Sequence, residues 1–487
     1  MFEKPARVLG RRLLRASAVM LVAGAVAGCV THNEIASQKD AGALLPAPAV
    51  PGGELPSPSH NQFSGQPVAT KSGQSGSAAE EELVEVQLDG LSIANAVGLA
   101  IARHPDINRA QAVVARSELQ VAVAKSAWYP TVSYGFDPGY YANSDIREAK
   151  VGVGVEQLLF DFGRSRSRIS AAKATLEQEQ YLLADTIESV AYNTASTFID
   201  LAASQEMIAA AGRQVQSLRE TKDKIQTRVK AGLSDTSDLN QAEVAIQRAE
   251  AEALSAQTQF DDAAGKLAEL AGVRPARVAS LDATTAIINE MGQGAQSEIE
   301  NTPAILAAKA SVSAADQRVK LAKAGRFPSI GVAVNEELSS VKDRSGDYGH
   351  DTHVGLTLSG DFSLGGLNKH QISTAIAERR AEAQALENQR MLTRTALGSA
   401  ETQAAGASAR LVSFQSVIDL SRSLIDLYWQ QYTLDKRPLT DVINAERDMY
   451  QAEVQRISAI ADGASAQVKA NAAVGQLATQ LKAKKSS

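Results

Sequence analysis

Cysteine is all but missing from this chain: its 487 residues contain one, Cys29. A lone thiol cannot close a disulfide within the molecule, so no covalent staple supports the fold in any compartment. Proline is scarce where it would matter. Six of the 14 prolines, Pro46, Pro48, Pro51, Pro56, Pro58 and Pro67, fall in one early stretch. None occurs between Pro138 and Pro275 or between Pro328 and Pro438, which removes the commonest helix breaker from two long spans. An excess of positive charge is lacking too; the net charge is −6 with no basic stripe, which argues against nucleic acid as a partner. Chemistry-bearing constellations are equally thin. Val151-Gly152-Val153-Gly154 has no phosphate-loop pattern, and no Ser/His/Asp set is placed by the sequence. His350 and His353 fall in an expected loop without further ligands, so no metal site is assigned. The chain reads as a non-enzyme without a cofactor. No apolar run is long enough to cross a bilayer as a permanent helix; the longest candidate, Ala16 to Val26, is too short.

What the chain does have is a repeat about two hundred residues apart. His104-Pro105-Asp106 opens a helical run that stops at Trp128-Tyr129-Pro130, and Thr302-Pro303-Ala304 opens one that stops at Arg326-Phe327-Pro328. Phe160-Asp161-Phe162-Gly163 is answered by Phe362-Ser363-Leu364-Gly365, and Asp238-Leu239-Asn240-Gln241-Ala242-Glu243 by Asp441-Val442-Ile443-Asn444-Ala445-Glu446. A repeat of this length is a tandem duplication of a whole fold unit. A protomer with such internal pseudo-symmetry builds rings and tubes readily.

Composition divides the chain into a signal peptide (1–28), a Pro/Gly/Ser-rich tether (29–85), a first repeat (86–290) and a second repeat (291–480). Lys4, Arg7, Arg11, Arg12 and Arg15 precede the short apolar run, which ends at Val26-Ala27-Gly28-Cys29. Small residues before the only cysteine are similar to a bacterial lipobox, which implies acylation of Cys29 and export from the cytoplasm. An ordinary secretory signal with an incidental cysteine is the alternative. The tether lacks apolar periodicity and cannot bury enough surface to offset chain entropy.

Each repeat carries one long helical span, Arg164 to Lys230 and Leu367 to Leu434, of about 100 Å if continuous. Ile187, Val190, Thr194, Phe198 and Leu201 recur at steps of three and four, as do Leu411, Phe414, Ile418, Ile425, Tyr428 and Tyr432, which predicts coiled-coil seams rich in Ala and poor in Leu. Before each span the period changes to two. Thr131 to Phe136, Val151 to Val155, Ile330 to Val334 and Val354 to Leu358 alternate apolar with small or polar residues, predicting four strands, with polar loops at 139–150 and 336–351. Four strands cannot close a barrel in lipid, where each unpaired backbone group costs several kcal/mol. Three protomers would supply twelve, enough to enclose a polar lumen. A soluble helical protein with two hairpins on its flank satisfies the alternation equally well.

From Leu91 to Leu477 the chain resembles a TolC-family outer-membrane channel protein. The resemblance rests on the Leu91-Ser92-Ile93 to His104-Pro105 opening, the Trp128-Tyr129-Pro130 stop, the Phe160-Asp161-Phe162-Gly163 strand exit, and the turns near Gly232-Leu233 and Arg437-Pro438. It implies a mixed α/β membrane protein: a homotrimer with a twelve-stranded β-barrel in outer-membrane lipid above a long periplasmic α-helical barrel. A periplasmic adaptor and an inner-membrane ABC or proton-driven transporter would be its partners. The segment Leu158 to Gly163 looks more like members that serve type I protein secretion, whereas an acylated cysteine is commoner among efflux members. The reading favoured is an exit duct for type I secretion; a drug or metal efflux duct of the same fold is the alternative, and a soluble periplasmic coiled-coil adaptor a more distant one.

The resemblance also carries site residues. Asp441 matches the first of two constriction aspartates, and Asn444 replaces the second; in a trimer Asp441 would form a carboxylate ring that favours cations, and Asn444 a neutral one. Tyr432 and Arg437 match residues that hold the entrance closed, with implied partners Asp238 for Tyr432 and the region of Ser237 for Arg437. Gly232, Leu233, Ser234, Lys436, Pro438 and Leu439 would lie at tips that contact the adaptor. Locally these are good turns: Gly232 suits a left-handed C-terminal position, Ser234 or Asp235 can cap the next helix, and Pro438 fits a first helical turn.

Overall fold

The computed structural model describes residues 90–141, 146–291, 296–342, 348–361 and 363–485. The leader, Cys29, the tether and Phe362 lie outside these residues.

Chain order gives α1 (Ile93–Arg103), α2 (Pro105–Ser126), β1 (Thr131–Tyr141), β2 (Ile146–Phe160), α3 (Arg164–Lys230), α4 (Thr236–Ala271) and α5 (Leu281–Glu290). A 3₁₀ turn (Gln296–Asn301) leads to α6 (Pro303–Ala324), β3 (Ser329–Lys342), β4 (Tyr348–Ser359), α7 (Leu367–Thr433), α8 (Leu439–Ala473) and α9 (Leu477–Lys485). The duplication holds element by element: α2 and α6 have 22 residues each, α3 and α7 have 67 each. The shared proline sets the start of each shorter helix, Pro105 in α2 and Pro303 in α6, where a missing N–H costs nothing. Gly163 and Gly366, both left-handed (φ 84° and 72°), turn the chain from strand into long helix.

The main core forms midway along α3. Phe198, Ile199 and Leu201 are fully buried, with Ile93 and Val97 of α1, Leu267 of α4, Leu281 and Ile288 of α5, Ile457 and Val468 of α8 and Leu477 and Leu481 of α9. Towards the far ends of the hairpins two smaller clusters follow, Val215, Leu218, Ile246 and Ala249, and then Ile225, Ala242, Tyr432, Leu439 and Val442, where alanines let helices approach closely.

The strands form one antiparallel sheet in the order β1-β2-β3-β4, so the two repeats join through β2 and β3. Its register separates two faces. Val132, Tyr134 and Phe136 of β1 pair with Val155, Val153 and Val151 of β2, and Ile330, Val332 and Val334 of β3 with Leu358, Leu356 and Val354 of β4. The opposite face carries Ser133, Gly135, Gly154, Gly331, Asn335, His353 and Thr357. The apolar face is bare, with Tyr134 91% and Leu356 77% exposed. The strands run further than their apolar pattern: much of 139–150 and 336–351, expected as loops, is paired. Backbone pairing needs no apolar side chain, and polar cross-strand links such as Lys150–Glu337 (2.9 Å) and Thr352–Glu336 (2.6 Å) carry the ladder onward.

Candidate functional site

The far ends of the two helical hairpins bring together most of the residues singled out above. Both end in the same backbone motif. In the first, Leu233 N–H donates to Arg228 O (2.8 Å) and Gly232 N–H to Val229 O (3.0 Å), with Gly232 at φ 73°. In the second, Lys436 N–H donates to Gln431 O (2.9 Å) and Asp435 N–H to Tyr432 O (3.0 Å), with Asp435 at φ 57°. These paired bonds satisfy carbonyls that the helix C-termini would leave bare. Asp435 holds a conformation that favours glycine, as glycine does at the equivalent Gly232.

Tyr432 links the two hairpins. Its hydroxyl donates to Asp238 Oδ2 (2.7 Å) and lies 2.9 Å from Ser234 Oγ, while its ring packs with Ile225, Ala242, Leu439 and Val442. Burial above all raises the tyrosine's pKa; the Ser234 bond opposes this, while Asp238 adds to the rise and Arg228 lowers it. Arg228 organises the same corner, a role no sequence motif announced. Its Nε donates to Ser234 Oγ (3.1 Å), Nη2 to Leu233 O (3.2 Å) and Nη1 to Thr433 O (3.5 Å), with the guanidinium 5.3 Å from the Tyr432 ring centre. Thr440 Oγ1 donates to Gln241 Oε1 (3.0 Å), a further link between α8 and α4.

Several expectations require correction. Within the chain Arg437 does not reach for Ser237, which is exposed; it donates to Asp441 Oδ2 (2.6 Å) and Gln431 Oε1 (2.7 Å) and lies 4.1 Å from the centre of the Tyr428 ring. One helical turn separates Arg437 from Asp441, so the nearest carboxylate captures the guanidinium. Asp441 is therefore not a bare acid. Asn444, one turn on, is half-buried on the same helix. Leu439 is 1% exposed and fills the tip's own core, which removes it from any adaptor-facing surface. Gly232, Leu233, Lys436 and Pro438 are exposed. Neither Ser234 nor Asp235 makes a side-chain capping bond to α4; Ser234 serves Arg228 and Tyr432, and Asp235, at the cap position, accepts from Thr236 Oγ1 (3.2 Å) instead. His350 and His353 stand on opposite faces of β4, with His350 3.0 Å from Glu336.

Above the tip, α8 stays tied to α3. Glu446 is 4% exposed and accepts from Thr221 Oγ1 (3.0 Å), with its second oxygen unpartnered; burial raises its pKa. Arg213 and Glu453 pair at 3.1 Å further up. The arrangement adds polar links to the apolar packing that joins the two hairpins, ending at an exposed double tip.

Residues 96–273 and 294–477 match the family described as outer membrane efflux protein, one segment in each repeat. The outer membrane efflux protein BepC of Brucella suis is 22% identical over 76% of this chain and 82% of its own. Protein CyaE of Bordetella pertussis is 24% identical over 64% of this chain and 69% of its own. Among solved structures, CusC superposes with a TM-score of 0.70 at 14% identity, covering 80% of this chain and 95% of that one.

Proposed function

This chain belongs to the outer membrane efflux protein family, the TolC-like channels, and we propose that it is the outer-membrane exit duct of a type I protein secretion system. As a member of that family it is a non-enzymatic efflux channel of the outer membrane. Channels of this kind are trimers that work with periplasmic adaptors and inner-membrane transporters. Membership sets aside the soluble adaptor.

The observation that carries the duct reading is the sheet. One face is apolar and bare, the other polar and small, and β1 and β4 leave an edge at each side. In lipid those edges demand partners. Three copies of the four-stranded sheet supply a closed twelve-stranded cylinder with the polar face inward. A second uncovered surface supports the same homotrimer. Val417, Leu420, Leu424 and Leu427 of α7 are exposed and recur at heptad steps, a coiled-coil seam left uncovered among the described residues.

Type I secretion is favoured by the Leu158 to Gly163 strand exit, similar to that of secretion members; a drug or metal efflux duct is the second reading, favoured by the lipobox-like Val26 to Cys29. Deleting the gene and assaying protein export beside drug and metal susceptibility separates them. Loss of an exported protein with unchanged susceptibility is expected; the reverse result sinks the secretion assignment. In this reading Cys29 carries the lipid anchor, and the double tip is the periplasmic entrance. Asp441 and Asn444 line its constriction; Tyr432, Asp238 and Arg437 hold it shut, with Ser237 available to Arg437 of a neighbouring copy. The adaptor meets Gly232, Leu233, Lys436 and Pro438. An ABC or proton-driven inner-membrane partner supplies the energy.

A further inference from the structure

The barrel's lower rim, where strands give way to helices, reverses the chain's overall charge. Within residues 120–130, 160–170, 320–330 and 359–370 stand Lys125, Arg164, Arg166, Arg168, Lys320, Lys323, Arg326 and Lys369 against only Asp161 and Asp361. These eight cations contrast with a chain whose net charge is −6. Asp161 is occupied: its two oxygens accept the backbone N–H groups of Gly163 (3.1 Å) and Ser165 (2.6 Å). Among the described residues, none of the eight cations is within ion-pair distance of a carboxylate. Some arginines elsewhere are paired, as Arg390 is with Glu300 and Arg379 with Asp316; what sets the rim apart is the clustering of its cations beside the aromatic rings.

An aromatic cluster fixes where part of this charge sits. Phe160 pairs with Ile330 and so shares the bare apolar face of the sheet. Phe162 packs edge-on against Phe160 (4.7 Å between ring centres) and stacks on Phe327 (4.9 Å). Phe162 does so at φ 55°, a left-handed conformation that costs a bulky residue energy, so packing holds it there. Arg326 lies 5.8 Å from the Phe327 ring centre, and Arg164 Nη2 donates to Phe327 O (3.0 Å). The Nε of Arg164 is buried with no partner. Arg164 and Arg326 therefore sit beside the rings that border the lipid-facing surface, not merely near them in sequence. Tyr129 and Phe160, 67% and 53% exposed, extend the aromatic rim.

We propose that this rim is a binding surface for the phosphates of anionic phospholipids in the periplasm-facing leaflet. Aromatic side chains sit at the interface between acyl chains and headgroups, and cations just beyond it attract anionic headgroups. Rings on the apolar side and unpaired guanidinium and ammonium groups on the helical side reproduce that order. A soluble acidic partner would meet the cations but leave the exposed rings in water, which favours the lipid.

The test uses the full-length channel purified in a neutral detergent and exposed to phosphatidylglycerol or phosphatidylcholine. Bound lipid is counted by native mass spectrometry. Phosphatidylglycerol should be retained in preference, and retention should fall as salt rises. The double variant Lys323→Gln/Arg326→Gln should lose that preference by about tenfold or more, given the roughly additive attraction of each cation near an anionic surface. Arg274→Gln/Arg277→Gln, which removes two cations from the exposed loop after α4, should not, and Arg326→Lys should retain it. Heat-modifiable gel migration checks that each variant is assembled. Equal retention of the two lipids, or an equal loss in the loop variant, overturns the proposal. So does full displacement of phosphatidylglycerol by millimolar inorganic phosphate, which would mark a site for the free ion. The inference rests on the membrane-spanning barrel. Failure of that barrel would appear as loss of heat-modifiable, detergent-dependent assembly, whereas lipid indifference in an assembled channel defeats only the rim.

Discussion

Arg228, Tyr432 and Asp238 show how much of the double tip depends on single side chains. Tyr432 carries the one hydroxyl that bridges Asp238 on α4 and Ser234 in the first turn. A hydrogen bond to a charged group contributes about 1.5–3 kcal/mol net. If the tip is the proposed entrance, Tyr432→Phe combined with Arg437→Ser should weaken its closure by a few kcal/mol and raise single-channel conductance in planar bilayers; unchanged conductance removes the proposed lock. The backbone of the turns makes a separate prediction. Gly232 at φ 73° admits a Cβ only with strain, so Gly232→Ala should cost about 1 kcal/mol. Asp435→Gly should gain a similar amount, since its ion pair with Arg228 is long (3.6 Å) and Asp435 is 85% exposed. Thermal unfolding of the two variants in one detergent would show opposite shifts. Gly232 was legible in the sequence because glycine marks the left-handed position. Asp435 was not, because aspartate marks that position only weakly. Arg228 was missed for a different reason: its partners are mainly carbonyls and a ring, which leave no spacing signature.

At the scale of elements, α9 offers a pH-dependent contact. The carboxylate of Glu188 on α3 accepts the backbone N–H of Ala478 (3.2 Å) at the start of α9. Burial pushes its pKa up from 4.5 to about 7, with Asp185 adding to the rise, while the N–H bonds of Ala478 and Leu477 oppose it. A carboxyl whose pKa rises on folding stabilises the folded form below its unfolded pKa and ceases to do so as pH climbs through the folded value. Docking of α9 should therefore be firmest below pH 4.5 and weaken up to about pH 7. Hydrogen exchange at 477–485 across that range should show the loss of protection, and Glu188→Gln should flatten it. The α7 seam belongs to this scale as well. Leu420→Glu with Leu424→Glu places charges on two of its exposed heptad positions and should prevent trimer formation, read by light scattering in detergent; an intact trimer would show that the seam faces no neighbour. Its step was present in the sequence, interleaved with the buried stripe through Ile418 and Tyr432, and only solvent exposure distinguishes the two.

For the whole molecule, the chain's own sequence determined the duplicated plan, the two long helices and the alternating strands. Those are local properties: proline at 105 and 303 starts a helix whatever surrounds it, the absence of proline over α3 and α7 lets helices run, and a period of two makes a strand with two faces. Tertiary structure decided what local rules leave open. It extended the strands past their apolar stretch, buried Leu439, and set Phe162 against Phe327. Each of these depends on which distant groups arrive alongside, and a contact across some two hundred residues is a matter of free energy in the folded chain, which spacing along the sequence does not encode.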